Sequence, residues 1–286
     1  MEQFDLTDLN QAKANDEMKN IGAVATLVNN INRIYKIVGK DLENYSIFYR
    51  GHADKSFRET PSIYRDDTKG DLWVKKEDQL CDEIMRECPT DFNSHVRVFD
   101  KLVKMQHYEL PTRLLDITEN PLVALYFACL PVEKSTNNGE ILIYFIPKDE
   151  IISYQSSLAD AISCISFLSH NTFSRAKTQI RQVVEEMKTY VSHLPFLSSF
   201  SDFDKTICVR AQKSNPRIIR QQGAFFLFGS SNADKDLMSP LPYIAFRLEV
   251  LHANKKRILQ ELERYGISEK TLFPEIDKVA HHLKTH

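Results

Sequence analysis

The most constraining feature of the sequence is an unbroken apolar run from Leu122 to Leu130. Pro121 stands directly before this run, at the position where proline commonly opens a helix. A helix that is apolar on every side has to be buried, because no face of it can be left in water. The run is far shorter than the roughly 18 residues of a membrane span, so we expect a helix inside a protein core. The polar segment 111–120 is expected to be a loop held against this buried helix.

Other segments have patterns that are typical of strands or of helices. Short aromatic and β-branched segments bounded by turn residues predict strands at Tyr45–Tyr49, Glu140–Ile146, Ala224–Phe228 and Tyr243–Val250. Apolar residues at helical spacing predict helices at 23–40, 72–88, 96–108, 255–265 and 271–282. The first strand is expected to end where Arg50 emerges. Together these patterns predict an α+β fold with surrounding helices.

The length and the order of these segments indicate the domain organisation. A chain of 286 residues suits one large domain or two small ones. We expect residues 1–40 to form an N-terminal helical segment and residues 41–286 to form the main domain. Within that domain, the mixed helical region 151–204 is expected to be an insertion.

Net charge and cysteine content restrict the cellular setting. A formal net charge of −2 and an isoelectric point near 6.5 do not demand a polyanionic partner, although a local basic stripe could bind one. Five cysteines without CxxC spacing are typical of a reduced protein. The acidic start, Met1 to Asp5, lacks the pattern of a signal peptide. We therefore expect a cytoplasmic protein that is not embedded in a membrane.

Several large enzyme classes lose their best evidence. The sequence has no Gly-rich phosphate loop, no GxSxG and no HExxH, which argues against NTPases, Rossmann dehydrogenases, α/β-hydrolases and zinc proteases. His281, His282 and His286 lie in a polar tail without the cysteine or carboxylate spacing of a metal site. We expect no metal.

The dipeptide Arg50-Gly51 follows the first predicted strand. A guanidinium at this point can bind an anion through two hydrogen bonds, and the glycine permits a phosphate to come close. The alternative is a structural arginine that pairs with Glu59 or Asp54. The dipeptide alone does not decide between the two roles.

A dense polar set lies between the predicted helix 96–108 and the apolar run. Its members are Gln106, His107, Tyr108, Thr112, Arg113, Asp116, Thr118 and Asn120. Such a set beside apolar walls is typical of a binding pocket. His107 could be a general acid or base, or a buried hydrogen-bonded histidine. Asp116 could cap the helix that begins near Pro121, or take part in chemistry.

A second polar region contains Gln221 and Gln222, whose neutral amides can bind carboxamides, sugars or bases. Basic residues precede or adjoin them without an acidic partner apart from the flanking Asp204; they are Lys205, Arg210, Lys213, Arg217 and Arg220. This basic stripe could bind the phosphates of a nucleic acid, or it could be a solvated face.

Several of these blocks together resemble the FRG-domain family, which is named after a Phe/Tyr-Arg-Gly motif. The motif reads Phe48-Tyr49-Arg50-Gly51 here, and the further blocks are 106–116, 120–128, Arg217 with 221–225, and 266–267 with 271–274. The resemblance covers about residues 40 to 284. On this basis the main domain, 41–286, is identified as an FRG domain.

Tyr49-Arg50-Gly51 also resembles the first motif of arginine-type ADP-ribosyltransferases, where the arginine holds the phosphates of NAD. The resemblance implies a mixed sheet core like that of the ADP-ribosyltransferase fold, with NAD as the substrate. The implied NAD-binding residues are Tyr49, Arg50, Gly51, His52, Arg113, Asp116, Asn120 and Gln221. The implied catalytic residues are Arg50, Thr112, Thr118, Gln222 and His107.

In this comparison Thr112 and Thr118 replace a serine-containing motif, and Gln221 or Gln222 stands in the region of the catalytic glutamate. A neutral glutamine can only partly stabilise an oxocarbenium-like transition state. Transfer to a nucleic-acid base, with RNA favoured, is therefore expected rather than transfer to protein arginine.

The resemblance implies a bacterial toxin or a phage-defence effector. It also implies an antitoxin partner, which we expect to contact the apolar segment Leu194–Phe203. The alternative is a non-catalytic nucleotide-binding or protein-interaction module of a toxin–antitoxin system. A third hypothesis is a nuclease that uses His107 and Asp116, for which nothing supplies a paired-carboxylate metal site.

Overall fold

The structure is a computed structural model, and it describes residues 18, 20–66, 69–93, 97–169, 180–191, 194–195, 203–230, 241 and 243–285. These residues form helices packed on a mixed β-sheet. The predicted α+β class is confirmed. The proposed domain bounds, 1–40, 41–286 and the insertion 151–204, stay predictions.

A seven-stranded sheet lies at the centre of the described chain, in the order β4-β5-β6-β2-β1-β3-β7. The strands are β1 Tyr45–His52, β2 Leu114–Thr118, β3 Gly139–Pro147, β4 Ile151–Ser153, β5 Thr206–Arg210, β6 Gly223–Phe228 and β7 Ile244–Val250. β4 and β5 are parallel, and the other neighbouring pairs are antiparallel. β1 therefore lies in the interior of the sheet, between β2 and β3.

The helices of the described chain are α1 Val24–Val38, α2 Glu77–Glu87, α3 Pro89–Phe92, α4 Val98–His107, α5 Pro121–Cys129, α6 Ser157–Ser163, α7 Ile180–Met187, α8 Pro216–Gln221, α9 Lys255–Arg264, α10 Glu269–Leu272 and α11 Ile276–Thr285. Short 3-10 turns stand at 39–44, 62–64, 73–76, 148–150, 164–167 and 252–254. The single helix expected at 271–282 is divided between α10 and α11, because Pro274 follows α10 and restricts the residue before it to extended backbone.

One face of the sheet is covered by α1, α5 and α9 above β1, β3 and β7. Tyr49, Ile143 and Phe246 are buried there. α5 packs in this core, as its apolar sequence predicts. Beside it, α4 and α6 cover β5 and β6, where Phe99 and Phe225 are buried in a second core. Each large side chain buried in this way stabilises the fold by about 1.5–3 kcal/mol.

The opposite face of the sheet carries the alternate residues of the same strands. Phe48, Leu142 and Phe226 are buried on this side, against Ile63 and Tyr64 of the 62–64 turn. Both faces of the central strands are therefore enclosed, which holds the residues at their ends in fixed positions.

The expected end of the first strand was wrong. β1 does not stop before Arg50 but continues to His52, because Arg50 pairs with Leu142 and His52 pairs with Glu140 on β3. Along its other edge β1 pairs with β2, where Tyr49 lies opposite Thr118. Arg50 is therefore paired with β3. On the β2 side it lies one residue beyond Tyr49, which is the residue of β1 that pairs with β2.

The polar segment 111–120 is not a loop throughout, since its middle forms β2. Leu115 and Ile117 are buried on one face, while Asp116 and Thr118 alternate with them. On a strand that borders a cavity, polar residues face inward, so the sequence lacks the usual alternation of buried apolar and exposed polar residues. This strand was missed for that reason. β4 and β5 were also missed; β4 spans three residues.

Candidate functional site

A cavity lies where β1 and β2 separate beyond Tyr49 and Thr118. Its volume is about 220 Å³. The lining residues come from β1, α4, β2, α5, α8 and β6: Tyr49, Arg50, Gly51, Val103, Gln106, His107, Asp116, Ile117, Thr118, Val123, Phe127, Asn215, Arg217, Ile218, Gln221, Gly223 and Phe225. We call this space the central cavity. It brings together both polar regions that the sequence separates by about a hundred positions.

Arg50 lies at this cavity and spans the gap between the two strands. Its Nη1 donates to the carbonyl oxygen of Asp116 at 2.5 Å, and its Nε donates to His52 Nε2 at 3.2 Å. Among the described residues, no carboxylate forms an ion pair with Arg50. The pairing with Glu59 or Asp54 that the sequence offered as an alternative was wrong, because Glu59 pairs with Arg247 and Asp54 accepts hydrogen bonds from the 135–137 segment.

The hydrogen bonds of Arg50 determine the tautomer of His52. An Nε–H donor requires a lone pair on His52 Nε2, so the proton of the neutral ring lies on Nδ1, 2.9 Å from Glu140 Oε1. Burial lowers the pKa of His52, and the charge of Arg50 acts in the same direction. His52 is buried and is not a lining residue of the central cavity. It can hold Arg50 in position rather than contact a ligand there.

A second guanidinium, that of Arg65, lies close enough to Arg50 to interact with it electrostatically. Burial lowers the pKa of Arg65 and the charge of Arg50 lowers it further, while Asp116 raises it. Arg65 is held by the carbonyl of Thr60, at 2.9 Å from Nη2 and 3.3 Å from Nε. Two neighbouring cations attract an anion between them. Sequence reasoning missed Arg65, because no motif includes it.

Thr112, Gln106 and Asp116 form a chain of hydrogen bonds. The hydroxyl of Thr112 donates to Gln106 Oε1, and Gln106 Nε2 donates to Asp116 Oδ2 at 2.8 Å. Gln106 and Asp116 line the central cavity, whereas Thr112 is buried and does not. The structure therefore makes Thr112 a support for Gln106 rather than a ligand contact.

Thr118 and Gln221 lie together in the cavity wall. Thr118 Oγ1 donates to the carbonyl of Gln221 at 2.6 Å and accepts from Asn120 N at 3.0 Å. Gln221 Nε2 donates to the carbonyl of Leu272 at 3.2 Å. Gln222 is exposed, has a left-handed backbone (φ 47°) and is not a lining residue. Of the two glutamines, Gln221 is the one at the cavity.

Asn120 caps α5, because its Oδ1 accepts from Leu122 N at 2.9 Å. The sequence offered Asp116 as this cap, and that alternative was wrong, since Asp116 lies in β2 with its side chain exposed. Asn120 is not a lining residue of the central cavity.

Tyr49 and Gly51 fit β1 closely to its neighbours. The hydroxyl of Tyr49 lies 3.1 Å from that of Tyr35, and burial strongly raises its pKa. A Cβ atom added to Gly51 would lie 1.9 Å from the carbonyl oxygen of Ala124 and 2.7 Å from Ala128 N. The missing side chain of Gly51 therefore lets α5 approach β1, although Gly51 also lines the cavity.

Arg113 lies away from the central cavity. Its Nε and Nη2 donate to the two carboxylate oxygens of Glu77, at 2.8 and 2.5 Å, and its Nη1 donates to Tyr64 Oη and to the carbonyl of Gly229. Burial lowers the pKa of Arg113, but the charge of Glu77, the neighbouring Tyr64 and the hydrogen bond to Glu77 together more than offset this, so the pKa is raised. The structure does not bring this implied NAD-binding residue to the site.

The five residues of the basic stripe do not lie on one surface. Arg210 binds Glu119 and lies over the ring of Phe48, which is buried on the face of the sheet opposite to α5. Arg217 lines the cavity and stacks on Phe273, with its guanidinium carbon 4.6 Å from the ring centre. The remaining three are exposed and are not cavity residues: Lys205, Lys213 and Arg220.

A carboxylate that sequence reasoning missed reaches the site from the C-terminal region. Glu275 Oε1 lies 2.6 Å from His107 Nε2, and both side chains are largely buried. The two residues are 168 positions apart, so no local spacing could have indicated the pair. His107 is therefore neither isolated nor fully enclosed, since it also lines the cavity.

A larger and more open space adjoins the central cavity beyond His107. Its volume is about 570 Å³, and we call it the outer groove. Its lining residues are Asp100, Val103, Lys104, His107, Tyr108, Ala211, Gln212, Ser214, Asn215, Pro216, Ile218, Pro274 and Glu275. The ring of Tyr108 stands at this groove with 63% of the residue exposed.

Residues 45–137 match the family model described as FRG domain. The match begins at β1 and includes Arg50, the end of α4, β2 and α5, which form one side of the central cavity. It supports the FRG-domain family that the motifs predict. No curated protein and no solved structure matches the chain significantly.

Two further properties belong to the described part of the chain. None of its helices combines the length and the apolar character that crossing a bilayer requires. Its histidine, cysteine, aspartate and glutamate side chains form no group of three that could hold a metal ion.

Proposed function

We propose that this chain is an NAD-dependent ADP-ribosyltransferase whose core resembles the ADP-ribosyltransferase fold. The observation that carries the proposal is Arg50, a lining residue of the central cavity whose guanidinium forms no ion pair with a carboxylate among the described residues. Arg65 adds a second positive charge nearby. A pyrophosphate would accept charge-assisted hydrogen bonds from Arg50, and the charge of Arg65 would add to its attraction.

The volume of the central cavity supports a site for only one part of the dinucleotide. A volume of about 220 Å³ is below the usual range of roughly 300–1,000 Å³ for a whole ligand site. We infer that the cavity takes the nicotinamide riboside half of NAD and that the pyrophosphate remains at Arg50. Val123 and Phe127 offer apolar walls for the nicotinamide ring, and Thr118 offers a hydroxyl.

The chemistry requires stabilisation of a positive ribosyl group as nicotinamide leaves. Asp116 lines the cavity, and its carboxylate is oriented by Gln106 Nε2. A fixed negative charge of this kind stabilises an oxocarbenium-like transition state. In this proposal Asp116 supplies the charge that the neutral Gln221 lacks.

The acceptor is proposed to be nucleic acid, with RNA favoured. The exposed ring of Tyr108 at the outer groove suits stacking of an unpaired base. In the cell such an enzyme would be a toxin or a phage-defence effector neutralised by an antitoxin. Most of Leu194–Phe203, the expected antitoxin contact, lies outside the described residues, and Phe203 itself is fully buried.

The test is incubation of the purified chain with NAD labelled in the adenylate phosphate, together with separate pools of RNA, DNA and cell protein. We expect label on RNA and release of nicotinamide. Arg50→Ala should abolish both. Arg86→Ala is the matched control, since Arg86 lies exposed on α2 and its ion pairs with Glu83 and Glu87 are at the surface. No label on any pool and no nicotinamide release would refute the proposal.

The second candidate is a non-catalytic nucleotide-binding or protein-interaction module. The observation that favours it is Gln221, a neutral amide at the cavity, in the region where the resemblance to ADP-ribosyltransferases implies a catalytic glutamate. Such a module would bind NAD through Arg50 and leave it intact. Saturable binding without nicotinamide release, in the presence of every acceptor pool, would favour this candidate.

A further inference from the structure

We propose that the outer groove is the acceptor subsite and that His107, oriented by Glu275, is the general base of the transfer. This inference rests on the proposed function, because it assigns the second substrate of the same reaction. It adds a residue, Glu275, that no motif of the sequence indicates.

The position of His107 is the first argument. The central cavity and the outer groove share Val103, His107, Asn215 and Ile218 as lining residues. An acceptor in the groove and a ribose in the cavity would therefore meet at this common wall. His107 is the titratable side chain of that wall, so it is placed where the transferred bond would form.

The contact between His107 and Glu275 is the second argument. The 2.6 Å separation of Nε2 and Oε1 places the ring proton on Nε2, because an ionised carboxylate only accepts hydrogen bonds. This tautomer leaves a lone pair on Nδ1, which has no hydrogen-bond partner among the described residues. A neutral histidine with a free lone pair and an oriented ring is the form that accepts a proton.

The second oxygen of Glu275 is the third argument. Oε2 is buried and has no hydrogen-bond partner in the described chain. A carboxylate without its full set of hydrogen bonds is stabilised by a positive charge beside it. Formation of the His107 imidazolium supplies such a charge when the acceptor gives up its proton.

The step that follows is balanced without an oxidant or a metal. The bond between C1′ of the nicotinamide ribose and the pyridinium nitrogen breaks, and its electron pair neutralises that nitrogen. A lone pair of the acceptor nitrogen or oxygen forms the new bond to C1′. The acceptor proton passes to His107 Nδ1 and then to water. The products are the ADP-ribosylated acceptor, nicotinamide and a proton.

The lining of the groove indicates the class of acceptor. Gln212 and Ser214 present an amide and a hydroxyl, and the exposed ring of Tyr108 can stack on a base. An unpaired nucleotide that carries an exocyclic amine or a hydroxyl fits these groups. The charged residues that line the two spaces with His107 are Glu275, Asp100 and Lys104 at the groove, and Arg50, Asp116 and Arg217 at the cavity.

The test measures NAD affinity and label transfer to RNA separately. We expect His107→Gln to leave the dissociation constant for NAD unchanged and to lower transfer about 10²- to 10⁴-fold. Glu275→Gln retains an acceptor for Nε2–H but removes the charge beside the His107 imidazolium, so transfer should fall while the dissociation constant for NAD stays unchanged. The matched controls are His252→Gln and Glu109→Gln, whose side chains lie at the surface.

A variant of an exposed residue covers the case in which His107→Gln does not fold. Tyr108→Ala should raise the KM for RNA about 5- to 150-fold, the equivalent of about 1–3 kcal/mol of stacking, with NAD affinity unchanged. Tyr108→Phe should restore it. Transfer at the wild-type rate by His107→Gln, or a wild-type KM for Tyr108→Ala, would overturn this inference and leave the proposed function standing. Failure of the wild type to release nicotinamide would refute both.

Discussion

Arg50 and Arg113 lie in the same part of the chain and within the matched family region, yet their surroundings differ. Arg113 is 4% exposed, and each of its terminal nitrogens donates to protein oxygens, with Glu77 neutralising its charge. Arg50 is only half-buried, and its partners are a carbonyl oxygen and a neutral histidine. The guanidinium of Arg113 is saturated by contacts within the fold, whereas that of Arg50 keeps its charge available to a ligand.

Within the matched family region, the two arginines have different roles, one structural and one functional. A buried charge must be paired, because an unpaired one would cost several kcal/mol. Arg50 has no carboxylate counter-ion among the described residues, so its charge does not neutralise a buried charge of the fold. The comparison predicts that changes at Arg113 affect stability, and that changes at Arg50 affect binding.

The largest expected effect is that of Arg113→Ala. Removing this side chain leaves Glu77 buried without its partner, so we expect the free energy of unfolding to fall by about 3–5 kcal/mol. Urea unfolding measures this change. Arg50→Ala, in the same assay, should leave the midpoint close to that of the wild type. An unchanged midpoint for Arg113→Ala would contradict the structural role of Arg113.

Gly51→Ala should have the next largest effect on stability. The new methyl group would meet the carbonyl oxygen of Ala124 at 1.9 Å, and overpacking of this kind costs about 1–3 kcal/mol. Gly223→Ala is the control, because its nearest neighbour is the Ile218 side chain at 3.8 Å. Equal melting temperatures for the two variants would show that α5 does not depend on the glycine of the motif.

Arg50→Ala tests the other half of the comparison. We expect the dissociation constant for NAD to rise about 10- to 100-fold, since a hydrogen bond to a charged group contributes about 1.5–3 kcal/mol. Arg65→Ala should weaken binding less, because the carbonyl of Thr60 already engages its guanidinium. Calorimetric titration with NAD measures both constants. Wild-type affinity of Arg50→Ala would remove the basis for an NAD site here.

The smallest expected effect concerns the support of Arg50 by His52. The pKa of His52 is lowered in the fold by burial, whereas in the unfolded chain it takes up a proton near pH 6.5. Its contribution to stability is therefore complete above about pH 6.5 and is lost as the pH falls toward the folded pKa, by up to about 1.4 kcal/mol per pH unit. His52→Gln should flatten this dependence in urea unfolding at pH 7.5, 6.5 and 5.5. An identical slope for wild type and variant would contradict it.

Much of this arrangement could be predicted where it depends on residues that are close in the sequence. The buried helix after Pro121 and the strands predicted at Tyr45–Tyr49 and Ala224–Phe228 were confirmed, because their apolar patterns decide them. The end of the first strand before Arg50 was wrong. Arg113 could not be separated from Arg50, since its partner Glu77 is 36 positions away. Glu275 could not be found at all, because only the packing of the C-terminal region brings it to His107.

The most direct test of the central claim is a structure of the chain at saturating NAD. We expect the pyrophosphate within hydrogen-bonding distance of Arg50 and the nicotinamide riboside in the central cavity beside Thr118 and Phe127. NAD bound elsewhere on the molecule, or a central cavity that stays empty at saturation, would contradict it.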